Sequence, residues 1–282
     1  MRRLGSATAL CLCFGLMGLT GCQDTQSLHL DPLSTNGRDG NIPDLGYDAV
    51  MRLADASRAN GDLSNAINLY RHAASMEPQK TETYDALGRT LLDMSKVDEA
   101  IVNYNAALKI NPRDGAALRG VARAYLKTGR PDLAGDPLAL AYLDTPTDPK
   151  LLLLIGVAND FIGQHAAAQA RYRQGLQLAP ADRSLSLDLA LSLALSENFD
   201  EAIAILRPIT MAPGATAAER QTLALIYGLK GDQKAAREVA RIDLDPTSVD
   251  HNLAFYESLR RLSPDARSRA VLSASATSHP AS

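Results

Sequence analysis

The chain has 282 residues, of which 46% are hydrophobic, 22% charged and 5% aromatic, with a formal net charge of −3 and no Trp. These fractions argue against disorder over the whole length, and the near-neutral charge argues against bulk nucleic-acid binding, which needs a concentrated basic surface. Plentiful Ala and Leu with few aromatics point to helix packing, and no long apolar segment beyond the N-terminus is able to span a bilayer.

Residues 1–22 read MRRLGSATALCLCFGLMGLTGC. Arg2 and Arg3 form a positive start, Ala9 to Leu19 a short apolar run, and small residues follow. This is the pattern of a signal peptide over 1–21 and not of a membrane span, because the apolar run is too short. Leu19-Thr20-Gly21-Cys22 resembles the lipobox of bacterial lipoproteins, which implies acylation of the Cys22 thiol and cleavage just before it. The other cysteines, Cys11 and Cys13, lie inside the peptide, so the mature chain has neither a disulfide nor a Cys-based metal site. Gln23 follows the Cys, with Asp24 one place later, which in the lipoprotein sorting pattern leans toward the outer membrane over the inner. Residues 22–46 are rich in Asp, Asn, Gly, Ser and Pro without periodicity, and are expected to form a flexible tether.

A strict repeat begins at residue 47. Ala66, Ala100, Ala134, Ala168, Ala202 and Ala236 are each 34 apart. So are Gly61, Ser95, Gly129, Gly163, Glu197 and Gly231, and so are Ala54, Gly88, Ala122, Gly156, Ala190 and Ala224. Pro78, Pro112, Pro146 and Pro180 keep the same step. The physics fits two antiparallel helices per unit. Small residues let the helices cross closely, and Tyr70, Tyr104, Leu138, Tyr172 and Leu206 sit four after the small Ala on the same face. Leu53, Leu87, Val121, Ile155, Leu189 and Leu223 are expected to pack beside the small residue of the first helix. Turn residues end the first helix and Pro ends the second. A single hairpin cannot bury its own apolar face, so such units must stack.

The pattern resembles the tetratricopeptide repeat (TPR) over residues 47–246, with unit two (81–114) closest to the family consensus. The resemblance implies an all-α, right-handed superhelical solenoid of about six helix hairpins. It implies a concave face lined by the first helix of each unit, with groove side chains at unit positions 2, 5, 9, 12 and 13. Those positions give a polarised groove. Units one to three offer Asp48, Asp55, Arg58, Asp85, Arg89, Asp93, Arg119, Arg123 and Lys127. Units four to six offer Leu153, Val157, Phe161, Leu187, Leu191, Leu195 and Leu225, an exposed apolar surface of the kind that marks a binding site. The expected partner is a protein helix or peptide segment, either in that apolar half or, through an acidic or carboxylate group, on the basic cluster. The competing reading is that the chain covers the apolar half itself and that the basic cluster is a solvated face paired with Asp85 and Asp93.

Residues 247–263 carry an amphipathic helix, with Val249, Leu253, Tyr256, Leu259 and Leu262 on one stripe. It either caps the last unit or enters the groove, and capping is the preferred reading. Residues 264–282, rich in Ser and Ala, are expected to form a disordered tail. The five His residues show no metal-ligand spacing, and the chain has no Gly-rich phosphate loop, G-x-S-x-G or H-E-x-x-H. No catalytic residue, metal, cofactor or small-molecule substrate is indicated.

The segment 220–262, through Arg220-Gln221, Leu223-Ala224-Leu225, Gly231, Asp243-Leu244 and Asn252-Leu253-Ala254-Phe255-Tyr256, is similar to the end of the TadD family, TPR lipoproteins of the tight-adherence (Flp) pilus system. The resemblance implies an accessory role in assembling or placing the outer-membrane secretin, with a secretin subunit as the partner and a membrane attachment through lipid. The rival is a general envelope scaffold that docks peptidoglycan hydrolases or other envelope complexes.

Overall fold

The computed structural model describes residues 45–278. The signal peptide, Cys22 and nearly all of the tether lie outside the described residues. Fourteen helices and no strands are present among them.

Six pairs follow the repeat: α1 (Tyr47–Ala59) with α2 (Leu63–Met76), α3 (Thr81–Asp93) with α4 (Val97–Ile110), and α5 (Gly115–Lys127) with α6 (Pro131–Asp144). They continue as α7 (Pro149–Phe161) with α8 (His165–Leu178), α9 (Arg183–Leu195) with α10 (Phe199–Met211), and α11 (Ala217–Lys230) with the shorter α12 (Gln233–Ala240). Two further helices close the chain, α13 (Pro246–Arg260) and α14 (Pro264–Ser278).

The repeat markers play the parts their chemistry dictates. All six 34-spaced turn residues adopt left-handed backbone, with φ of 81° at Gly61, 58° at Ser95, 68° at Gly129, 76° at Gly163, 65° at Glu197 and 93° at Gly231. Four are glycine, which enters that region at no steric cost; Ser95 and Glu197 carry a side chain there against the usual penalty. Between units, Asp114, Asp148 and Asp182 cap the next first helix through its backbone N–H groups, again in steps of 34. Thr216 and Glu219 form a reciprocal capping box at the start of α11.

Ala66, Ala100, Ala134, Ala168, Ala202 and Ala236 are all fully buried at the helix crossings. The large residue four places on fills the neighbouring space: Tyr70, Tyr104, Leu138, Tyr172 and Leu206 are buried. A Cβ placed on Gly156 would lie 2.3 Å from Tyr172 Cε1, and one on Gly120 2.2 Å from Tyr104 Cε1, so these glycines are where ring and backbone meet. Leu53 departs from the pattern and is 43% exposed, because no described unit precedes unit one to cover it.

First helices of successive units also touch one another, α3 with α5, α5 with α7, α7 with α9 and α9 with α11. That contact places them on the inner side of the curve and makes their outward residues the concave wall. α13 packs on α11 and α12 through Val249, Leu253, Tyr256 and Leu259, closing the end of the stack as a next first helix would. Leu262, at the end of the expected stripe, is instead exposed beyond the helix.

The C-terminus differs from the sequence reading. Residues 264–278 are a helix and not a frayed tail. α14 turns back from α13 and lies against α5, α7 and α9, the first helices of units three, four and five.

The concave face as candidate functional site

The apolar half of the groove is therefore not open. Leu191 and Leu195 from α9 and Leu229 from α11 form one buried cluster with Leu259 of α13 and with Val271 and Leu272 of α14, while Phe161 and Leu225 pack against it half-buried. Leu187 is buried and belongs to the packing between units four and five, with Leu153 and Val157 half-buried beside it. The expectation of a contiguous exposed surface fails for two reasons: α14 covers Leu191, Leu195, Phe161 and Leu225, while Leu187, Leu153 and Val157 are taken up in the packing between units.

The occupant is held by polar contacts as well. Arg267 Nη1 meets Glu197 Oε1 at 3.1 Å, so the residue bearing left-handed strain at the α9–α10 turn also contacts α14. Ser268 Oγ lies 3.1 Å from His165 Nε2, and His165 Nδ1 lies 2.7 Å from Asp160 Oδ1. The same Asp160 carboxylate accepts from Ser192 Oγ at 2.7 Å and from the Tyr172 hydroxyl at 2.9 Å. Asp160 is 2% exposed, and three donors from two units satisfy its acceptors as burial requires. Tyr172, fully enclosed, has its hydroxyl pKa raised well above the ordinary value, first by burial and then by the nearby Asp188 and Asp160 charges.

Asp160, His165 and Ser268 share the hydrogen-bond order of a nucleophilic triad. Here the hydroxyl belongs to α14 itself, on a residue only 4% exposed whose face is pressed against the groove wall, so the three groups lie in a closed contact between α14 and units four and five. The arrangement works as a polar lock: it ties unit four, unit five and α14 at one point.

α14 is bound near the weak end of what helix docking provides. Val271 and Leu272 are its large buried side chains, and their burial contributes roughly 3–6 kcal/mol in all at about 1.5–3 each. A helix of 15 residues is marginal by itself in water. The attachment must therefore come mostly from the groove.

The polar half of the groove remains exposed in part. Arg58 pairs with Asp93 at 2.7 Å, Arg119 with Asp148 at 3.2 Å, and Lys127 donates to the Leu92 carbonyl at 3.2 Å. Arg89 and Arg123 have no ion-pair partner among the described residues, so the basic cluster is only partly neutralised by its own chain. Asp55 accepts from the Tyr70 hydroxyl at 2.5 Å, while Asp48 is exposed at the N-terminal end. Asp85 makes no close ion pair with the cluster, although the Arg89 and Arg119 charges act on it: its carboxyl is pushed up to about 7, chiefly by burial and then by the neighbouring Asp114 charge, which together outweigh those cations. The sequence reading missed Asp160, His165, Ser192 and the α14 contacts. A signal was present at Asp160, a carboxylate at unit position 12 among Leu and Phe groove residues.

Tetratricopeptide-repeat profiles match residues 47–80, 86–150 and 158–216, over half of the chain. The chain belongs to the tetratricopeptide-repeat family. Among curated proteins, it is 38% identical to human tetratricopeptide repeat protein 28 over 88 residues, 31% of this chain and 4% of that protein. It is 29% identical to the wheat (Triticum aestivum) Hsp70-Hsp90 organizing protein over 139 residues, 49% of this chain and 22% of that protein. The chain thus spans only a small part of these relatives. Among solved structures, a TPR protein from Parabacteroides merdae aligns with a TM-score of 0.63 at 15% identity, covering 78% of this chain and 88% of that one. Pseudomonas aeruginosa pilF aligns with a TM-score of 0.56 at 19% identity, covering 81% and 97%. These likenesses concern the fold. TPR stacks are in general non-catalytic protein-interaction scaffolds, and this chain has the TPR architecture.

Proposed function

We propose that the protein is a lipid-anchored envelope scaffold whose concave face captures a helix of a protein partner, and that the partner is a subunit of an outer-membrane secretin serving a Flp/Tad-type pilus. The observation that carries the helix-capture reading is α14: the inner wall of units three to five accepts a helix, with an apolar cluster at its centre and fixed polar partners beside it. The wheat relative supports the reading in its general form, because its name describes a protein that organizes two others, Hsp70 and Hsp90. The pilus assignment rests on the resemblance of 220–262 to the TadD family, and the anchor on the lipobox ending at Cys22. Acyl chains on Cys22 would hold the stack at the membrane, and the 22–46 tether would raise the local concentration of the groove around its partner.

The test is the amount of heat-resistant secretin multimer on a denaturing gel, in cells with and without the gene. Loss of multimers, restored by wild type and not by Cys22→Ser, supports the proposal. Unchanged multimers remove the secretin role.

A further inference from the structure

We propose that α14 is an internal ligand of the groove, and that its buried face describes the helix the groove recognises. The proposal deepens the scaffold reading and rests on it. Among the described side chains of α14, Arg267, Ser268, Val271 and Leu272 are buried, and spacings of one, four and five put them on a single helical face. Each meets a fitted counterpart in the wall: Arg267 the Glu197 carboxylate, Ser268 the His165 imidazole, and Val271 with Leu272 the Leu191–Leu195 cluster. The partner class follows: an amphipathic helix with a cationic side chain next to a small hydroxyl, and two adjacent aliphatic side chains one turn further on. Such a helix competes with α14 for the same wall, so the free scaffold is self-blocked, and capture requires α14 to leave.

Two features of the groove fit a built site better than incidental packing. Glu197 occupies a left-handed turn position, φ 65°, where four of the six repeats place glycine, and its carboxylate faces Arg267. Asp160 is fully buried and orients the imidazole whose other nitrogen faces Ser268.

The experiment uses the full chain and, as probe, a fluorescein-labelled synthetic peptide of residues 262–278, with binding read by anisotropy. Wild type should bind the peptide poorly. The Val271→Asp/Leu272→Asp variant, with α14 displaced, should bind it at least tenfold more tightly, and the same substitutions made in the peptide should abolish binding. Glu197 is 62% exposed, so its ion pair with Arg267 is a modest part of the binding: Glu197→Arg in that variant should weaken peptide binding several-fold, and Arg267→Glu in the peptide should restore it. Arg267→Glu in the chain gives a second opened form that leaves every apolar contact residue in place. Equal binding by wild type and the opened forms would overturn the proposal. So would opened forms that keep full helical content and ignore the peptide, or a wild-type chain that dimerises with concentration and so exchanges α14 between copies. No secretin enters this readout, so peptide capture with unaltered secretin multimers would refute the pilus assignment alone.

Discussion

Asp160→Ala is the most informative single perturbation of the stack. The carboxylate accepts from three donors, Ser192 Oγ at 2.7 Å, His165 Nδ1 at 2.7 Å and the Tyr172 hydroxyl at 2.9 Å, at a site 2% exposed. Truncation leaves those groups without an acceptor where water has little access. Each buried donor left unpaired costs about 1–3 kcal/mol, and partial relaxation of this linked set brings the total to about 3–5 kcal/mol. Asp160→Asn keeps the shape and one carbonyl acceptor, and Tyr172 can turn its hydroxyl to accept from the new amide, so that variant should lose only about 1–1.5 kcal/mol. Hydrogen exchange is the suitable assay, because a repeat array need not unfold as one unit and a single midpoint would blur a local effect. Protection should fall in α7, α8, α9 and α14 and stay near wild type in α1–α4. A loss below about 0.5 kcal/mol in Asp160→Ala, or one spread evenly over all units, would refute the polar-lock account.

The remaining predictions concern other parts of the stack. Gly156→Ala puts a methyl 2.3 Å from the Tyr172 ring, which Asp160 holds in place, and should cost about 1–3 kcal/mol in urea unfolding followed by circular dichroism. Glu197→Gly should relax the α9–α10 turn while removing the Arg267 partner, so exchange should slow at the turn and quicken across 264–278. Asp85, with its folded pKa raised to about 7 against an unfolded value near the ordinary 3.8, binds a proton in the folded state that the unfolded chain has lost across that window. Its contribution to stability is therefore greatest at the acid end and is lost as pH rises through about 7. Asp85→Asn should flatten that slope in thermal melts between pH 5 and 8 and gain on wild type at the alkaline end.

The repeat was readable because each marker carries one physical duty. A 34-residue step that places Ala at every crossing, a turn former after every first helix and an Asp cap before α5, α7 and α9 leaves little freedom for another arrangement. The helical C-terminus was not readable in the same way. Residues 264–278 contain only two large aliphatic side chains, Val271 and Leu272, and its other buried contacts, Arg267 and Ser268, read as solvent-facing until the groove offers Glu197 and His165. Leu187, Leu191 and Leu195 were placed at groove positions from the register. Their burial depended on neighbours distant in sequence, which no local periodicity reveals. The Asp160 network has the same origin, since Ser192 and Ser268 lie 32 and more than 100 residues along the chain.

The most direct test of helix capture by the concave face is site-specific photocrosslinking in cells from two positions, Leu225, half-buried at the α14 cluster, and Leu143, 72% exposed on α6. The account predicts a secretin adduct from position 225, none from position 143, and loss of the adduct with Cys22→Ser. Equal adducts from both positions, or none with the secretin from position 225, would contradict it.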